Sequence, residues 1–201
     1  MRIALAIISL VLGTLQLQGQ INPMDKLFKD KPRDLAIYIN PTFQYSQIAL
    51  QRTSIAGIGA GVVINKKFTL GAIGYTSIKN ITLPEAYGSG TLQLIWGGLH
   101  LEYTLWPLQI IHLTFPLSAG MGQLKITGNT VAASTGTPNF LFAEPGMMIE
   151  ANIWSYFKLG IGTSYRYTAN VDYNSLTSAD LNGFSAVVSF KIGKFRYGRR
   201  R

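Results

Sequence analysis

Apolar and polar residues alternate along most of this chain. In the stretch 158–167, Lys158, Gly160, Gly162, Ser164 and Arg166 share one parity, and Leu159, Ile161, Thr163, Tyr165 and Tyr167 share the other. A period of two puts these sets on opposite faces of a β-strand. Near the start, Leu35, Ile37, Ile39, Phe43 and Tyr45 stand opposite Tyr38, Asn40, Thr42, Gln44 and Ser46. The alternation predicts strands over about 34–46, 54–64, 68–78, 91–105, 110–127, 140–154, 157–171 and 183–195. Residues 56–61 alternate glycine with Ala56, Ile58 and Ala60. Glycine on an inward face leaves room for large side chains opposite. Pro41, Pro116 and Pro145 predict bulges or kinks, because proline cannot donate to a ladder. At Glu144-Pro145-Gly146 the glutamate is expected to cap the amides freed by a bulge.

An even number of antiparallel strands can close into a small barrel. The connections at 65–67, 106–108 and 155–156 read as short, and those at 47–53, 79–90, 128–139 and 172–182 as longer. Short turns at one end and longer loops at the other are the pattern of outer-membrane barrels. The fold expected is therefore all-β: an eight-stranded antiparallel up-and-down transmembrane β-barrel over 34–195. Its apolar face meets lipid and its polar face lines the interior. A soluble barrel of the lipocalin type would reverse the two faces.

Composition sharpens this picture. Only 13% of the 201 residues are charged, well below the roughly one quarter usual in soluble domains. The chain has 21 glycines, 10 tyrosines and 10 phenylalanines. Residues 1–19 read as a signal peptide: Arg2 precedes an apolar run from Ile3 to Leu15 that is too short to span a bilayer. Residues 20–33 read as a periplasmic leader, so both mature ends are expected on the periplasmic side of an outer membrane. There is no cysteine, hence no disulfide framework and no thiol for lipidation. The net charge of +9 is concentrated at the end, where 191–201 holds six cations and 196–201 forms a basic tail. In an exported chain such a tail points to anionic lipid, lipopolysaccharide or an acidic envelope partner rather than nucleic acid.

The polar parity supplies the candidate chemistry. His100, Glu102, Glu150, Asn152, Lys158 and Arg166 form an expected lumen network, with His112, Thr114, Ser164 and Lys191 on the same faces. Enclosed charges must be paired, and Arg166 is expected to pair with Glu150 or Glu102. One alternative is an active site in which His112 serves as base, Thr114 as nucleophile and Glu150 or Glu102 as orienting acid. His112-Leu113-Thr114 resembles the His-x-Ser arrangement of outer-membrane lipid A deacylases, with threonine in place of serine. Another alternative is a small-solute pore. Two histidines separated by a turn give no metal-ligand spacing, and no cofactor motif is present. Trp96, Trp106 and Trp154, in or near strand ends, are expected as interfacial anchors or contacts to a partner, with ordinary packing residues as the alternative, and Arg199, Arg200 and Arg201 as contacts to a partner.

Several segments together resemble a group of short outer-membrane β-barrel proteins of Bacteroidetes-type bacteria. They are Gly98-Leu99-x-Leu101-Glu102-Tyr103, the run Ile111 to Leu117, Glu144-Pro145-Gly146, Glu150-x-Asn152, Ser164-Tyr165-Arg166 and Gly193-Lys194-Phe195. The resemblance implies an exported barrel with a structural or accessory role. It carries over no catalytic residue.

Overall fold

The computed structural model describes residues 34–83, 90–127, 139–173 and 176–195. The expected signal peptide, leader and basic tail, including Arg199, Arg200 and Arg201, lie outside the described residues. The elements are β1 (Leu35–Ile48), β2 (Gln51–Ile64), β3 (Phe68–Ser77), β4 (Ile81–Leu83), β5 (Gly90–Leu105), β6 (Ile111–Thr127), β7 (Asn139–Trp154), β8 (Phe157–Ala169), β9 (Asp172–Tyr173), β10 (Leu176–Thr177), α1 (Ser178–Leu181) and β11 (Gly183–Gly193).

Each long strand pairs antiparallel with its neighbour in the chain, and β1 pairs with β11 to close the sheet. The result is a closed eight-stave barrel in the order β1, β2, β3, β5, β6, β7, β8, β11. The short β4 continues the path of β3 along the same partner, with Ile81 opposite Leu92. Strands of 10 to 17 residues exceed or match the roughly 9–11 that cross a bilayer.

Loop lengths follow the expectation at six of the seven connections. The exception is 47–53. Pairing of β1 with β2 continues through Gln47↔Arg52 and Ile48↔Gln51. Ala49 and Leu50 then reverse the chain with φ of 48° and 64°, the double positive φ that a two-residue hairpin turn requires. Polar residues such as Gln47 and Arg52 suggested a loop, yet backbone pairing extends past the apolar band. The connection 170–182 carries the β9–β10 hairpin and α1. This cap is fastened to the β1–β2 turn by the Ala49 amide, which donates to the Asp180 carbonyl at 2.7 Å.

The proline bulges do not form. On both sides of Pro41, Pro116 and Pro145 the register stays constant, as in Thr114↔Met148 and Leu117↔Pro145. Each proline leaves local pairs unmade toward one neighbour and the ladder resumes in step. The register shift in β7–β8 falls instead between Asn152 and Trp154, beside the two-residue turn at Ser155 and Tyr156.

The apolar parity faces outward: Ile37 is 75% exposed and Leu99 66%. The inward face has three levels. At the long-loop end Ile48, Leu92, Leu94, Trp96, Phe140 and Leu181 belong to a buried apolar cluster. The middle is polar and charged. At the short-turn end Phe195 closes the bore against Tyr38 and Val63. The interior is thus less uniformly polar than the alternation suggested, because the inward parity of β5 begins with Leu92, Leu94 and Trp96 before it reaches His100 and Glu102.

Inward glycines make room for the large interior rings. A Cβ on Gly57 would lie 2.5 Å from Tyr75, and one on Gly122 would lie 2.3 Å from Phe140 and 2.6 Å from Trp96. Tyr75 and Trp96 stack with ring centres 5.3 Å apart.

Candidate functional site

The middle level gathers polar residues of β3, β5, β6, β7 and β11. Lys191 extends from β11 to the opposite side of the bore, its Nζ donating to Glu102 Oε1 at 2.5 Å and Oε2 at 2.6 Å. It also donates to Glu150 Oε1 on β7. Thr69 supports Glu102 with a hydroxyl bond of 3.4 Å. His112 Nε2 lies 3.3 Å from Glu150 Oε2, and the Asn152 amide is 3.4 Å from His112 Nδ1. With the Asn152 amide nitrogen donating to Nδ1, Nε2 is the ring atom that faces the Glu150 carboxylate. His100 Nδ1 bonds Ser118 Oγ at 2.9 Å.

A second buried carboxylate group sits nearer the long-loop end. Glu144 accepts from the Gln44 amide at 2.8 Å and from the Ser164 hydroxyl at 2.6 Å. It faces inward on the parity of Phe142 and Glu150 and caps no bulge. Neither Glu144 nor its partner Gln44 stood among the candidates. Glu144's parity marks it as a lumen residue, whereas the adjacent Pro145 marks it for a bulge cap.

Arg166 does not pair with Glu150 or Glu102. Its Nε donates to the Leu181 carbonyl at 2.9 Å and its Nη2 to Ser46 Oγ at 3.4 Å. Its guanidinium lies over the Trp96 ring, 5.3 Å from the centre. Height along the barrel explains the difference. Arg166 stands opposite Gly183 at the long-loop end of β8, whereas Glu150 stands opposite Gly160, six residues further toward the other end of that strand. At a rise of about 3.3 Å per residue that separation is roughly 20 Å. Lys158 lies low in the bore with Nζ 4.7 Å above the Phe195 ring.

Among the described residues the buried charges balance: Glu102, Glu144 and Glu150 against Lys158, Arg166 and Lys191. The central cavity measures about 30 Å³ and is lined by Asn40, His100, Glu102, Ser118, Glu144 and Lys191, among others. That is room for no more than a few water molecules.

Of the expected catalytic arrangement, His112 and Glu150 are in contact and Thr114 is not joined to them. Thr114 Oγ1 is buried and has no hydrogen-bond partner among the described residues, so it makes no bond to His112. Neither residue lines the central cavity. Among the described residues no group of three or more His, Asp or Glu side chains is placed to hold a metal ion.

The three tryptophans divide. Trp96 is 2% exposed and belongs to the interior, contrary to the interfacial role expected of it. It shares the parity of His100 and Glu102, so its strand position dictates burial. Trp106 and Trp154 are 57% and 59% exposed at the short-turn end. Trp154 stacks on Tyr156 with ring centres 6.0 Å apart.

No family profile matches the chain, and no curated protein sequence matches it. Solved structures do. The neisserial surface protein A is similar over 82% of this chain and 100% of its own, at 13% identity and a TM-score of 0.58. The N-terminal β-barrel domain of Pseudomonas aeruginosa OprF is similar over 81% of this chain and 99% of its own, at 11% identity and a TM-score of 0.52. At these identities the likeness defines the fold: a closed eight-stranded antiparallel barrel of the kind found among outer-membrane proteins.

Proposed function

We propose that the protein is an integral outer-membrane barrel with a structural or accessory role in the cell envelope. One observation carries this reading: the faces are inverted relative to a soluble barrel. Leu35, Ile37, Phe43, Leu99, Met121 and Phe184 are exposed on the outside, while six charged side chains are sealed and balanced within. In water that outer belt would be a large unsatisfied apolar surface. In lipid it is the expected wall of a closed sheet whose backbone bonds are all internal. The exposed aromatic residues Trp106, Trp154 and Tyr156 suit a girdle at one membrane interface. The long-loop end then faces outward from the cell and the short turns face the periplasm.

A packed bore does not favour conduction, and a threonine without a base does not favour hydrolysis. What remains available for function is the outer surface and the ends, where envelope lipid and protein partners make contact. Fractionation tests the placement. The protein is expected in the outer-membrane pellet after a carbonate wash, migrating faster on gels when unheated than when boiled. Recovery in the soluble fraction overturns the proposal.

A further inference from the structure

The outer wall carries a groove of about 720 Å³ across one side of the barrel. Its path follows one row of paired residues. The Ile78 amide donates to the Ser54 carbonyl at 2.9 Å. Ser54 pairs with Tyr45, Tyr45 with Ala186, Ala186 with Thr163 and Thr163 with Met147. Small side chains at Ser54, Ala186 and Thr163 make the floor low on both sides of the exposed Tyr45, past whose side chain a ligand in the groove must run, and Met147 stands at the far end. The Thr163 hydroxyl is turned onto the Ser185 carbonyl at 3.0 Å, so its polar atom is satisfied. Six staves at about 4.8 Å spacing give a groove roughly 24 Å long. That exceeds one leaflet's half of the roughly 30 Å hydrocarbon core, so an acyl chain fits along it.

The groove has a charged mouth. Arg52 is two residues beyond Ser54 on β2, about 7 Å toward the long-loop end, and Lys79 directly follows Ile78. Both are exposed, and neither makes an ion pair among the described residues. Lys66, at the opposite end, lies 3.5 Å from Asp34. Asp180 of the cap turns its carboxylate onto Thr177 at 2.8 Å. Two exposed cations at the long-loop end of an apolar groove suit a ligand with a phosphate at one end and hydrocarbon at the other.

We infer that this wall is a docking site for a phosphorylated, multiply acylated glycolipid of the external leaflet. Arg52 and Lys79 hold the phosphate, and an acyl chain lies over Ser54, Ala186 and Thr163. The inference rests on the membrane placement proposed above. It adds the chemistry of the lipid and the stave at which it binds.

The test uses the full-length folded protein in phosphatidylcholine vesicles. The probes are the diphosphorylated acylated glucosamine disaccharide that anchors lipopolysaccharide, its dephosphorylated form, and inorganic phosphate. Lipid retained after detergent extraction is counted by native mass spectrometry. The unchanged protein is expected to retain the phosphorylated lipid over the dephosphorylated one. Loss of two charge-assisted contacts in the Arg52→Gln, Lys79→Gln variant is expected to reduce retention about tenfold or more. Filling the floor with Ala186→Leu is expected to reduce retention as well, and Lys66→Gln to leave it unchanged. Equal retention by the Arg52, Lys79 variant, or equal retention of both lipid forms, overturns the site. A variant effect seen with inorganic phosphate, together with no effect of Ala186→Leu on lipid, overturns the lipid assignment in favour of a free anion. Carbonate washing of the same samples separates these outcomes from failure of the membrane placement.

Discussion

Lys191 and Glu102 lie on diametrically opposed staves, β11 and β5, and meet in the middle of the bore at 2.5 Å. The lysine therefore ties the barrel across its width, and the second carboxylate, Glu150, turns the tie into a three-way junction. All three groups are buried, so each depends on the others for its solvation. Replacing Lys191 by Met leaves two carboxylates facing one another with no cation between them. Breaking a buried pair of this kind costs about 3–5 kcal/mol. Lys191→Met is expected to lower the urea midpoint of the lipid-embedded protein, read by gel mobility, by a corresponding amount. Adding Glu102→Gln to that variant is expected to restore much of the loss, since the enclosed charges then balance again, Glu144 and Glu150 against Lys158 and Arg166. A Lys191→Met protein as stable as the unchanged one would show that the junction is not formed.

Backbone proximity makes a second claim. Gly98 and Gly120 face each other across β5 and β6. A Cβ on Gly98 would lie 2.0 Å from the Ala119 carbonyl oxygen, and a Cβ on Gly120 would lie 2.2 Å from that of Gly97. Backbone atoms cannot rotate away as a side chain can. Gly98→Ala is expected to destabilise by about 1–3 kcal/mol. Gly74 is the contrast: its nearest neighbour to an added Cβ is 4.0 Å away, and Gly74→Ala is expected to be neutral or to stabilise by roughly 0.5–1 kcal/mol. Unfolding midpoints of the two variants in one lipid decide it, and equal midpoints count against the register.

His112 gives a prediction in which stability and activity separate. Its imidazole bridges Glu150 and Asn152, so His112→Ala removes a buried partner from a carboxylate. The expected cost is about 1–3 kcal/mol of stability. No fatty acid is expected from acylated glycolipid with either the unchanged protein or the variant. Release by the unchanged protein that disappears in His112→Ala would restore the hydrolase.

Much of this barrel was legible because strand parity is a strong constraint once several strands agree. Lys158, Ser164, Arg166, Glu150 and Lys191 were placed inward by counting in twos, and all are buried. Partner choice within the lumen was not legible. Arg166, Glu102 and Glu150 share the enclosed face, but parity says nothing of height, and height separates Arg166 from both glutamates. Residue-type rules misled where they outvoted parity. Trp96 reads as an interfacial anchor from its place near a strand end, although its own parity sends it inward with His100. Pro145 was read as a bulge, which hid Glu144 beside it. A proline loses one donor, and eight closed staves hold the ladder in register around that single loss.

The same division of tryptophans offers the sharpest test of which way the wall faces. Trp106 and Trp154 are outward at the short-turn end, whereas Trp96 is enclosed against Tyr75 and Arg166. Three variants that each retain one tryptophan, with the other two changed to Phe, isolate these environments. In bilayers of lipid brominated along the acyl chain, Trp106 and Trp154 are expected to be quenched most by bromine near the headgroup, as interfacial anchors should be. Trp96 is expected to respond little at any depth and to remain shielded from aqueous iodide. Its removal is also expected to loosen the seat of Arg166, about 0.5–2 kcal/mol for a desolvated cation over an indole, with further loss from the cavity left behind. Strong lipid quenching of Trp96, with none of Trp106 and Trp154, would mean that the sheet is turned inside out relative to the membrane.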